Sequence, residues 1–98
     1  MEIKMETYKT NPKAFEERAE WLKAMAHPVR LCIVNTLYRT GPSNVTDMHN
    51  CLNQPQSTIS QHIAKLKSAG IIVGNRQANE IIYSLNSEIA EEIIKILL

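Results

Sequence analysis

Between Asn53 and Gly70 the chain reads NQPQSTISQHIAKLKSAG, and directly after Gly70 the spacing of its apolar residues changes from about 3.6 to about 2. Two helical stretches parted only by Asn53-Gln54-Pro55, with an extended hairpin following at once, leave few arrangements open. The second stretch, Gln56 to Ala69, sets Ile59, Ile63 and Leu66 on one side, and Gly70 suits its C-terminal cap. Ile71 and Val73, then Ile81, Tyr83 and Leu85, alternate with their neighbours across the polar link Gln77-Ala78-Asn79-Glu80, which predicts a hairpin.

Upstream, Asn11-Pro12 opens a helix to Met25, with Asn as cap and Pro in the first turn. His27-Pro28 breaks it, because the residue before proline is pushed out of the α region. A second helix runs from Pro28 to about Arg39 with Arg30, Leu31, Val34, Leu37 and Tyr38 on one side. After the turn Thr40-Gly41-Pro42-Ser43, a short third helix is expected over Asp47 to Leu52, capped by Thr46, with Val45, Met48 and Leu52 inward. Asn86 or Ser87 caps a last helix whose apolar arc, Ile89 to Leu98, is too wide for one neighbour. The fold class is mainly α with a small β-hairpin: five helices plus a wing, in the order of a winged helix-turn-helix. One domain covers residues 1–98, with 1–10 expected to be flexible.

A single domain of 98 residues buries a limited core and gains from pairing with a second copy. The hydrophobic fraction of 44% and charged fraction of 21% are those of a globular chain. The N-terminus mixes charges, and no run approaches the roughly 18 apolar residues of a membrane span, so a cytoplasmic protein is expected. Cys32 and Cys51 stand apart and read as reduced thiols, not a disulfide framework. From Met48 to Asn79 there is no Asp or Glu, while Lys65, Lys67 and Arg76 are present; the C-terminus is acidic.

With Ile59 inward, Ser57, Gln61, Ala64 and Ser68 point directly away, flanked by Gln56, Thr58, Ser60 and Lys65. Gln can read adenine through two hydrogen bonds, Ser and Thr can serve either partner, and a small methyl can rest on the thymine methyl. A carboxylate there would be repelled by phosphates, and the N–H groups of Gln56 and Ser57 offer a phosphate seat. The partner expected is double-stranded DNA, with 56–69 in the major groove. The bland alternative is a solvated helix face, and the rival function is a protein-interaction module without DNA. His62, at the edge of the apolar stripe, either packs there or touches a phosphate. Arg76 and Gln77 belong to a wing that can reach the backbone or minor groove, or to an ordinary exposed hairpin. Phe15, Leu22, Ile89, Ile93, Ile96 and Leu97 form a candidate homodimer seam; the alternative is that they close the monomer core. No nucleophile is paired with a base, so no enzyme is expected.

Together KAMAHPVRLCIVNTL, NVTDMHNCLNQPQSTISQHIAKLKSAGII and the closing IYSL resemble the ArsR/SmtB family of bacterial winged-helix repressors over nearly the whole chain. The resemblance implies a homodimer joined through 11–26 and 86–98, two copies of the fourth helix in successive major grooves, and repression at an inverted-repeat operator. Many such relatives place Cys-x-Cys around the start of the third helix, where this chain has Asn44 and Thr46. Others bind zinc between their last helices, where it has Ser87 and Ile89 and no later His. Relatives that sense reactive sulfur use one Cys on the second helix, a place matched by Asn35, and one on the last helix, which has none. No metal, cofactor or small-molecule ligand is therefore expected. A thiol redox switch at Cys32 or Cys51, or a metal site joining them to His27 or His49, are the alternatives.

Overall fold

The computed structural model describes residues 5–98, Cys51 through its backbone alone. In chain order it has α1 (Pro12–Met25), α2 (Pro28–Thr40), α3 (Val45–Leu52), α4 (Gln56–Ser68), strands β1 (Ile72–Gln77) and β2 (Glu80–Leu85), and α5 (Glu88–Leu97). This is the mainly α winged helix-turn-helix that the element order predicts.

Each helix opens or closes for a local reason. Asn11 Oδ1 accepts the Ala14 N–H at 3.3 Å, and Pro12 occupies the first turn, where a missing N–H costs nothing. At α2 the cap is an imidazole, His27 Nδ1 accepting from Val29 N–H at 3.1 Å. α3 begins earlier than expected. Its cap is Asn44, whose Oδ1 accepts the Asp47 N–H at 2.7 Å, and Thr46 lies inside the helix. α4 ends in a Schellman closure: Gly70 takes φ 75°, its N–H reaches Lys67 O and that of Ile71 reaches Leu66 O, both at 3.0 Å. Ser87 caps α5 through Oγ and the Ala90 N–H at 3.1 Å.

The core gathers where α2 meets α3, α4 and α5, around Ile33, Val34, Met48, Ile59, Leu66 and Ile94, all fully buried. α1 joins it only at its end, Met25 being its one buried residue. The molecule is correspondingly long: its radius of gyration is 15.6 Å, against about 13 Å for a compact domain of this size. Ahead of α1, Thr10 N–H reaches Thr7 O at 3.1 Å and Tyr8 Oη donates to Glu16 at 2.8 Å, so the chain from Thr7 turns back onto the helix. The rest of the segment expected to be flexible includes residues 1–4, which lie outside the described residues.

In the wing, β1 and β2 pair antiparallel from Ile72↔Leu85 to Gln77↔Glu80, so the loop is Ala78-Asn79 alone and Ala78 takes φ 55°. Val73, which the alternation groups with the buried Ile71, is 38% exposed. The reason is that Ile71 belongs to the helix closure and the strand starts one residue later, which moves Val73 to the outer face. The inner face is Ile72 and Gly74 opposite Leu85 and Tyr83. Ser43 adds a third rung: its N–H reaches Tyr83 O at 2.9 Å and it accepts the Tyr83 N–H at 2.8 Å. A one-residue bridge leaves no periodicity to read, and sequence reasoning did not find it.

Gly74 is required by its surroundings. A Cβ there would stand 2.9 Å from Ile81 Cγ2 and 3.0 Å from Tyr83 Cε1. Gly74→Ala is expected to lower stability by about 1–3 kcal/mol in urea unfolding, because Ile81 and the buried Tyr83 ring must both shift to admit a methyl group. An unchanged midpoint would show that the ring can shift freely.

Candidate nucleic-acid interface

α4 carries the arrangement of interest because its two sides have separate tasks. Ile59, Ile63 and Leu66 are buried, and Gln56, Ser57, Ser60, Gln61 and Lys65 are exposed, with Thr58 half-buried. Packing against α2 and α3 thus consumes the apolar stripe and leaves the polar face open. No Asp or Glu lies on the helix, while Lys65 and Lys67 occupy its last turn. At the other end Pro55 precedes the helix and no side chain caps it, so the N–H groups of the first turn remain available to an anion.

The turn that orients α4 is held by two features. Asn53 closes α3 in the left-handed conformation, φ 53°, with its N–H on His49 O at 3.2 Å. His49 Nδ1 then donates to Gln54 O at 2.6 Å. The wing packs beside α4, with Arg76 and Gln77 exposed toward its tip. Asn44, besides capping α3, donates from Nδ2 to Glu80 at 2.9 Å, which ties the far end of the hairpin to the helix pair and occupies its carboxylate.

His62 proves to be packed at the edge of the apolar stripe. Its ring lies 4.2 Å from that of His27, and its Nδ1 is 3.0 Å from Arg30 Nη1. Arg30 also donates to Ala24 O at 2.6 Å and Lys23 O at 3.4 Å, so one guanidinium spans the end of α1, the start of α2 and α4. Sequence reasoning placed Arg30 on the apolar stripe and missed this role. The available signal was a cation in the first turn of a helix, where the dipole disfavours it unless it reaches another helix's C-terminal carbonyls. Burial, then the nearby His27 and Arg30, lowers the His62 pKa below its usual 6.5.

The seam candidates Phe15, Leu22, Ile89, Ile96 and Leu97 are all exposed, Ile96 by 82%, and Ile93 is half-buried. Trp21 and Leu22 of α1 with Ile89 and Ile93 of α5 line one open groove. Cys32 is exposed on α2, and the Cys51 side chain lies outside the described residues. Among the described residues no group of three His, Cys, Asp or Glu is placed to hold a metal ion, and no helix is long and apolar enough to cross a membrane.

Residues 27–73, from the α2 cap to the start of β1, match the family profile described as bacterial regulatory protein, arsR family. Over 92% of the chain and 90% of the relative, it is 47% identical to the transcriptional repressor PagR of Bacillus anthracis. The chain belongs to the ArsR family. The crystal structure of PagR superposes with a TM-score of 0.79 at 48% identity, covering 87% of this chain and 97% of that one. HlyU from Vibrio cholerae also gives 0.79, at 30% identity over 87% and 91%. The biofilm growth-associated repressor of Agrobacterium fabrum is 36% identical over 87% of the chain and 72% of its own length. As an ArsR-family member the protein is a transcriptional regulator with a DNA-binding helix-turn-helix, and the matched span contains α2, α3 and α4.

Proposed function

We propose that this ArsR-family protein is a homodimeric, cytoplasmic repressor without enzymatic activity, which occupies an inverted-repeat operator and places α4 of each protomer in the major groove. The carrying observation is the division of α4 into a buried stripe and an open, acid-free face of hydrogen-bonding side chains. Gln56 and Gln61 read base edges, with Ser57, Thr58 and Ser60 completing the contact. Lys65, Arg76 and Gln77 meet the backbone. The seam is formed by α1 and α5, where exposed Leu22 and Ile89 share a groove with Trp21 and Ile93, and it sets the two recognition helices roughly 34 Å apart, one helical turn of DNA.

Selection of bound duplexes from a random pool supplies the operator for the test. On that operator, Gln56→Ala or Gln61→Ala is expected to cost about 1–3 kcal/mol and to relax selectivity at one position. Lys65→Ala should weaken binding to all sequences alike and reduce the slope of log affinity against log salt by about one. Failure to enrich any sequence, together with unchanged affinity in these variants, would count against α4 as the reading element.

A further inference from the structure

The contacts of Arg30 and the two imidazoles impose a requirement on protonation. A guanidinium can only donate, so His62 Nδ1 must be the acceptor in its 3.0 Å contact with Arg30 Nη1. His27 Nδ1 likewise accepts, from the Val29 N–H that opens α2. Both rings therefore keep a lone pair on Nδ1, and each holds its proton, if neutral, on Nε2. Protonating His62 removes Arg30's acceptor and sets an imidazolium against a guanidinium. Protonating His27 removes the α2 cap and places a second cation 4.2 Å from the His62 ring.

Among the described residues no carboxylate is hydrogen-bonded or ion-paired to Arg30, His27 or His62. From α2 the facing groups are His27 and Arg30 themselves, and α4 adds Lys65. From α1, Glu16, Glu17, Glu20 and Lys23 border the groove that Arg30 and Lys65 also line; Glu20 is paired with Lys23 at 3.0 Å, and both are open to solvent. α3 brings His49, already bonded to Gln54, and the exposed Asp47, while β1 brings the exposed Arg76. The joint is thus cationic on its inner side.

We propose that Arg30, His27 and His62 form a proton-sensitive joint that sets the recognition helix α4 against α1, so that mild acid weakens operator binding. The proposal rests on the DNA-binding reading above and deepens it. Arg30 grips Ala24 O and Lys23 O at the end of α1 with one side of its fork and His62 with the other. Since α1 is one of the two helices of the proposed seam, the same guanidinium links the spacing of the two protomers to the placement of each α4. The joint is closed when His62 is neutral and opens when it is charged. A direct phosphate contact by His62 would act with the opposite sign, since an imidazolium attracts phosphate.

The test measures affinity for the selected operator by fluorescence anisotropy between pH 8 and pH 5.5 at fixed ionic strength, for wild type and His62→Asn. Asn offers Arg30 an oxygen near the position of Nδ1 but does not titrate. Wild type is expected to lose severalfold more affinity than His62→Asn across this range, the ceiling for one group that titrates below 6.5 being about tenfold at pH 5.5. In DNA-free protein, NMR of the imidazole should show His62 titrating below 6.5 and moving upward in Arg30→Met. Parallel pH profiles, tighter wild-type binding in acid, or a His62 titration indifferent to Arg30→Met would each overturn the joint. Should His62→Asn not fold, the sign of the wild-type profile and the Arg30 dependence of the titration still decide. If wild type binds no selected duplex even at pH 8, the DNA-binding reading has failed, and the NMR arm alone then reports on the contact between Arg30 and His62.

Discussion

Leu22→Asp is expected to yield a folded monomer that binds the operator about a hundredfold or more weaker than wild type. Leu22 is 54% exposed, and α1 meets the core through Trp21, Ala24 and Met25, so a carboxylate at position 22 does not disturb protomer packing. In the proposed seam, however, it would be enclosed with Trp21, Ile89 and Ile93, where desolvating a carboxylate costs several kcal/mol that Arg18, one turn away on the same groove, offsets only in part. Loss of the pair removes the second half-site contact, which otherwise forms as an intramolecular event. Sedimentation equilibrium and anisotropy measure the two effects. A dimer that survives Leu22→Asp with full affinity would mean that the protomers meet elsewhere.

Gln61→Glu tests the recognition face with less structural change than any truncation. The side chain is exposed, keeps its length and makes no side-chain hydrogen bond among the described residues, and Gln and Glu have similar helix propensities. Thermal stability should stay close to wild type. Operator binding should fall by several kcal/mol, more than for Gln61→Ala, because a carboxylate cannot donate to adenine N7 and is repelled by that acceptor and by the phosphates. Wild-type affinity in Gln61→Glu would place position 61 away from the duplex.

Much of this architecture was legible because it rests on strong local signals. Pro12 and Pro28 in first turns and Gly70 in the left-handed region mark helix ends that depend on backbone chemistry alone. The stripe Ile59, Ile63 and Leu66 is periodic, and its burial leaves the opposite face predictable. Five of the six seam candidates are exposed, as an excess of apolar residues over what one core could cover implies.

What escaped depends on distant partners. Asn44 and Thr46 are both good caps by type, and only the 2.7 Å reach to Asp47 N–H selects Asn44. The outward turn of Val73 follows from one residue of phase, absorbed when Ile71 joins the closure of α4. Arg30 looked like part of a packing stripe because long basic side chains do lay their stems on apolar surface; its head group acts through residues far away in the chain.

The exchange of backbone hydrogen bonds between Ser43 and Tyr83 bears on how little freedom the wing has left to lose. Swinging the hairpin away from the α2-α3 turn would rupture two such links together, with Asn44 and Glu80 holding a second point of attachment. Helix pair and hairpin therefore behave as a single jaw, already set before anything enters it. A clamp of this kind needs little ordering at the moment of docking, so a larger share of each contact made there is retained as affinity.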